Sequence, residues 1–193
     1  MRLSDEELRS IDKIVIIACG TSFYAGMVAK YAIEHWTRIP CEVELSSEFR
    51  YRDPILDKTT LVVSISQSGE TMDTLMAVRY AREQRARVLS ICNTNGSTIP
   101  RESDAVIYTH AGPEIAVAST KGFLAQVVAC YLLGLYLAQV KGLKYGDERT
   151  RAHETTLREM FSRPQPAIDN PDNFAAVQMQ RPEEMLELFV ERF

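Results

Sequence analysis

The sequence predicts an α/β fold, a doubly wound parallel sheet of about five strands, and three observations carry that expectation. Runs rich in β-branched residues recur along the first two thirds of the chain, and the longest are apolar throughout, as strands buried on both faces are. Stretches with apolar residues at helical spacing lie between them. Strand and helix alternate at the interval that right-handed crossovers require.

Taken in order, residues 13–19 (KIVIIAC) form the first such run and end at Gly20. Residues 22–37 place Phe23, Met27, Val28, Tyr31 and Ala32 at the spacing of a helix. Residues 41–45 alternate as a short strand, and 46–51 read as a helical turn bounded by Pro54. Residues 61–66 (LVVSIS) are the second continuous run; they lead into the glycine of SQSGET and a helix over about 71–85. A strand at 88–92, a turn at Asn95-Gly96 and a strand at 105–109 follow, and a long helix starts near residue 119.

The chain has 193 residues, 46% of them hydrophobic, 8% aromatic and 25% charged, which excludes global disorder, collagen and a disulfide scaffold. Lys and Arg total 22 against 26 Asp and Glu, so the net charge of -4 points to no nucleic-acid partner. The charge is unevenly placed: residues 1–146 hold 16 acidic and 16 basic side chains, residues 147–193 hold 10 and 6. The latter segment has none of the nine glycines and four of the eight prolines. A domain over 1–146 and an acidic, Pro-containing helical tail or linker over 147–193 are therefore expected.

Cys19, Cys41, Cys92 and Cys130 form no CxxC pair and have no nearby histidine, so they read as reduced, mostly buried residues of a cytoplasmic protein. The charged N-terminus has no apolar signal segment. Residues 122–140 carry no formal charge and reach the length of a membrane span. Gln126, Gly134 and Gln139 interrupt the stretch, and the upstream alternation is that of a soluble α/β chain. The expectation is therefore a helix buried on most of its faces, no membrane, and a partner domain or subunit covering it, as in a homo-oligomer.

In a doubly wound sheet the ligand sits beyond the carboxyl ends of the strands. Three polar clusters fall there: residues 19–22 (CGTS), residues 66–71 (SQSGET) and residues 118–121 (ASTK). Ser66, Ser68 and Thr71 supply hydroxyls around Gly69, which lets the backbone turn so that its N–H groups face one point, and the next helix adds its positive end. That chemistry suits a phosphate monoester; helix capping by Ser68 and Thr71 is the competing account. Neither a Walker A nor a dinucleotide fingerprint occurs. Lys121 and His110 are weaker candidates, and no metal-ligand cluster or nucleophile–histidine arrangement stands out.

The segments CGTS (19–22), SSEFRYR (46–52), SISQSGET (64–71), ICN (91–93) and EIAVASTK (114–121) closely resemble, in order and spacing, the first sugar-isomerase (SIS) domain of the isomerising glutamine:fructose-6-phosphate aminotransferases. The resemblance implies a flavodoxin-like sheet that binds fructose 6-phosphate or glucosamine 6-phosphate. Ser66, Gln67, Ser68 and Thr71 would hold the phosphate, and Thr21, Val117 and Ser119 would contact the sugar. It implies no catalytic residue, metal or cofactor in this chain, because a glutaminase domain and a second SIS domain supply the reacting groups in such enzymes. The chain is accordingly expected to be the phosphosugar-binding half of the isomerase part in hexosamine biosynthesis, incomplete as a catalyst by itself. The alternative is a stand-alone SIS module that senses a sugar phosphate.

Overall fold

Strands that are apolar at nearly every position must be covered on both faces, and that requirement organises the molecule. The computed structural model describes residues 3–114 and 119–143. Five strands, β1 (Lys13–Ala18), β2 (Cys41–Leu45), β3 (Thr60–Ser66), β4 (Arg87–Cys92) and β5 (Ala105–Tyr108), form one sheet in the order β2-β1-β3-β4-β5. Every pairing is parallel, with Ile16 opposite both Val43 and Val63, and Ile65 opposite Ile91.

The crossovers are helices α2 (Thr21–Thr37), α3 (Ser46–Phe49), α4 (Met72–Glu83) and α5 (Thr98–Arg101); α1 (Asp5–Arg9) precedes the sheet and α6 (Lys121–Val140) follows it. Because side chains alternate along a strand, each strand feeds two cores. Ile14, Ile16, Leu61, Val63 and Ile91 pack under α2 and α6, joined by Leu8 of α1. Val15, Ile17, Val62 and Val88 pack on the other face under α4, with Phe49 of α3 and Ile99 of α5.

The strands and longer helices stand within a residue or two of their expected ends. Thr71 is the N-cap of α4 rather than its first residue, and α6 begins at Lys121. Helices α1 and α5 are additions to the expected series. The signal for α1 was present as Ser4-x-x-Glu7, which forms a full capping box: Ser4 Oγ accepts from Glu7 N–H and the Glu7 carboxylate accepts from Ser4 N–H. Hydrogen bonds from the Ser4 N–H and then the Ser4 hydroxyl to Glu7 Oε2, first among the causes, hold the Glu7 carboxyl below its ordinary value.

The most apolar window of helix α6 has a mean hydropathy of 1.8, and half of it is buried within this chain. The sheet, α2 and α1 cover one side, with Trp36 of α2 edge-on to Tyr131. Leu124 remains exposed on α6, as do Tyr24, Val28 and Tyr31 on α2. Inside the helix, Gln126 is 1% exposed and its amide has no hydrogen-bond partner among the described residues. The expected boundary near Gly146 and the acidic tail lie outside the described residues.

A buried chain of hydroxyls crosses the sheet: Ser64 of β3 meets Ser90 of β4 at 2.5 Å, Ser90 meets Ser103, and Ser103 donates to the Ile99 carbonyl of α5. Replacing only Ser90 strands the Ser64 hydroxyl, whereas Ser103 keeps its carbonyl. Ser90→Ala is expected to cost about 1–3 kcal/mol in urea unfolding, and the double variant Ser64→Ala/Ser90→Ala less than the sum of the two singles.

Candidate functional site

The strand order reverses direction between β1 and β3: the chain leaves β1 through α2 toward β2, and leaves β3 through α4 toward β4. Helices α2 and α4 therefore lie on opposite faces while their N-termini meet above the same strand ends. A cleft of about 170 Å³ opens there. It gathers Thr21 from the head of α2, Ser66, Gln67, Ser68 and Thr71 from the β3–α4 loop, and Ser119 from the approach to α6. Val117 lies outside the described residues.

The β3–α4 loop is braced from within. Gly69 sits at φ +66°, and a Cβ there would lie 2.7 Å from Ser97 Cβ and collide with its hydroxyl, so glycine is required on two counts. Gly69 N–H donates to Ser66 Oγ at 3.0 Å and Glu70 N–H donates to Ser68 Oγ at 3.2 Å. This departs from the expected nest of N–H groups facing one point: two of them turn inward onto serine oxygens. The result is still a donor site, because a hydroxyl that accepts an N–H keeps its own proton to give.

Thr71 occupies the N-cap of α4, yet its hydroxyl makes no capping bond; it meets Ser66 Oγ at 3.3 Å. The N-cap of α2 is Gly20, which has no side chain to cap with. Both helices thus begin without a side-chain cap beside the cleft, and of the first-turn N–H groups of α2 that of Phe23 is taken by the Gly20 carbonyl at 3.1 Å. Capping, the competing account of SQSGET, does not describe what the Ser68 and Thr71 hydroxyls do.

Tethers fix the loop to its neighbours. The Gln67 carbonyl accepts from Asn93 and Thr94 N–H, and the Gly69 carbonyl accepts from Ile99 N–H. Glu70 accepts from Thr98 N–H at 2.7 Å, and hydrogen bonding from Thr98 lowers its carboxyl below the ordinary 4.5. That tether is complete above about pH 4.5 and fades only as pH falls through the lowered value. Asn93 also accepts from Thr109 Oγ1 and Ala111 N–H and donates to the Gly112 carbonyl, pinning the segment after β5.

Four lining residues lay outside the set expected to bind: Cys19, Ser22, Ile65 and Glu114. Glu114 Oε2 accepts from Ser119 Oγ at 3.1 Å and from Gly122 N–H at 2.9 Å. Its place in a motif was visible, but the return of the chain that brings it against Ser119 was not. Cys19 is half-buried in the cleft wall, whereas Cys41, Cys92 and Cys130 are buried in the cores. Burial pushes the Cys41 and Cys92 thiols up to about 12, and Cys130 upward as well. His110 and Lys121 are not among the residues that line the cleft. Among the described residues no group of three His, Cys, Asp or Glu side chains could hold a metal ion.

A parallel sheet with a hydroxyl-lined cleft between two helix N-termini at its switch point has the architecture of α/β domains that take ligands at their strand ends. Residues 7–136 match the SIS domain family, and the chain belongs to it. It is 78% identical over 148 residues to a glutamine–fructose-6-phosphate aminotransferase (isomerizing) of Streptomyces coelicolor, covering 77% of this chain and 24% of that protein. With the enzyme of the same name from Corynebacterium efficiens it shares 66% identity over 172 residues, 89% of this chain and 27% of that one. The chain thus spans about a quarter of the length of these curated relatives. Among solved structures, the C-terminal domain of glucosamine-fructose-6-phosphate aminotransferase from Francisella tularensis superposes with a TM-score of 0.75 at 42% identity, over 81% of this chain and 45% of that one.

Two outcomes check the site. Gly69→Ala should lower stability by about 1–3 kcal/mol in denaturant unfolding, as the loop must move off Ser97. In the native protein iodoacetamide should label Cys19 before the three buried cysteines, read by peptide mass mapping, and labelling of Cys19 should slow when the cleft is filled.

Proposed function

We propose that this chain is the phosphosugar-binding half of the isomerase part of an isomerising glutamine:fructose-6-phosphate aminotransferase, holding fructose 6-phosphate or glucosamine 6-phosphate. The observation that carries the reading is the uncapped head of α4, where the Ser66, Ser68 and Thr71 hydroxyls gather beside first-turn N–H groups. The phosphate sits against them and Gln67; the sugar lies toward Thr21, Val117 and Ser119. The high identity to proteins of that name supports the substrate class.

Anchoring by the phosphate turns amination and the ketose-to-aldose proton shift into reactions of a positioned substrate. It stabilises ground and transition states alike, so it does not by itself lower the barrier to chemistry. The reacting groups belong to a glutaminase domain and a second SIS domain; the Francisella domain, about twice the length of the matched region, has room for a second unit of this size. The exposed face of Tyr24, Val28, Tyr31 and Leu124 supports coverage by that unit or by another copy in a homo-oligomer. The protein acts in the cytoplasm, in keeping with four free cysteines.

Titration calorimetry on the chain should show binding of fructose 6-phosphate and much weaker binding of fructose. Ser68→Ala should weaken the phosphorylated ligand by about 1 kcal/mol or more, roughly fivefold, without changing the affinity for fructose. Equal affinity for the sugar and its phosphate defeats the assignment. Binding should also weaken as pH drops through about 6, where the ligand phosphate goes from dianion to monoanion, while the Glu70 tether stays intact.

A further inference from the structure

Three helix heads surround the cleft, and they are not equivalent. Those of α2 and α4 have no side-chain cap, so their positive ends are open to an anion. The head of α6 is closed by a carboxylate, since Gly122 N–H in its first turn donates to Glu114 Oε2. A Cβ on Gly122 would lie 2.8 Å from that oxygen and 2.5 Å from Ser119 Oγ, so the absence of a side chain is what lets the carboxylate approach.

The charges of the cleft follow the same division. Among the described residues that line it, Glu114 is the one charged side chain; no lysine or arginine takes part. The Ser66, Ser68 and Thr71 hydroxyls gather at the head of α4 on one face of the sheet, while Thr21 and Ser22 of α2 and the Glu114 carboxylate at the head of α6 stand on the other face. Both bonds that Glu114 accepts from described residues end on Oε2; Oε1 makes no hydrogen bond among the described residues and can accept from a ligand hydroxyl. An anion entering the cleft therefore finds its densest set of donors beside α4, and a fixed negative charge at the head of α6.

Building on the phosphosugar reading, we propose that Glu114 is a specificity-determining residue: it admits ligands with one phosphate and an uncharged polyol end, and rejects those with a second anionic group. It acts in two ways. The bonds to Ser119 and Gly122 hold the polar wall opposite the phosphate, and the charge repels a second phosphate or a carboxylate that reaches that wall. A carboxylate used in this way costs little for the intended ligand, whose hydroxyls donate to it.

The test compares fructose 6-phosphate with fructose 1,6-bisphosphate by calorimetry on the full 193-residue chain. The wild-type protein should prefer the monophosphate by at least about tenfold. Glu114→Gln, which keeps an acceptor for Ser119 and Gly122 but removes the charge, should gain about tenfold or more in bisphosphate affinity, a gain that loosening the wall does not produce. Ser119→Ala, which keeps the charge, should retain the preference. Equal wild-type affinity for the two ligands overturns the inference, as does a Glu114→Gln protein with the wild-type ratio and a wild-type melting curve. A folded wild-type protein that binds neither ligand overturns the phosphosugar reading and this inference with it; binding of fructose 6-phosphate with no effect of Glu114→Gln overturns this inference alone.

Discussion

The pairing of β1 with β3 is the constraint from which the rest follows. The chain winds outward from that pair in both directions, and right-handed crossovers leave one arrangement, with α2 on one face and α4 on the other. Both helices must begin at the carboxyl ends of adjacent strands, so two positive helix N-termini converge on one gap. The cleft is a consequence of strand order, and the side chains around it decide what that positive potential is used for.

Those side chains form a rigid frame. Gly69 makes the turn against Ser97, Glu70 holds the start of α5, and Asn93 ties the loop after β4 to the segment after β5. Hydroxyls and backbone N–H groups are directional donors with no net charge, so such a site selects by geometry more than by attraction. Because the hydroxyls are oriented before any ligand arrives, little ordering entropy is lost on binding.

Much of this was legible from residue types and spacing. The continuous apolar runs identified the strands that are covered twice, and the interval between them identified crossovers. The three hydroxyl clusters at strand ends identified one site, and six of its seven expected residues line the cleft, the seventh, Val117, being outside the described residues. What escaped the reading has a common cause. Helix α5 is only four residues long, too short for periodicity to register, and it is held by Glu70 and Ser103 from elsewhere in the chain. Helix α6 shows the same dependence on neighbours: half of its most apolar window is buried within this chain, and hydropathy does not say which groups cover it.

By itself, then, the sequence determined the fold class, the strands, and the donor chemistry of the β3–α4 loop, because these depend on local pattern: apolar periodicity, the backbone freedom of Gly69, and hydroxyls beside it. Only the tertiary structure decided that Gly69 and Glu70 turn their N–H groups inward, that Thr71 leaves α4 uncapped, and that Glu114 closes the head of α6 beside Ser119. Each of these depends on which groups stand within about 3 Å of one another, and hydrogen bonds form at that range whatever the order of residues along the chain.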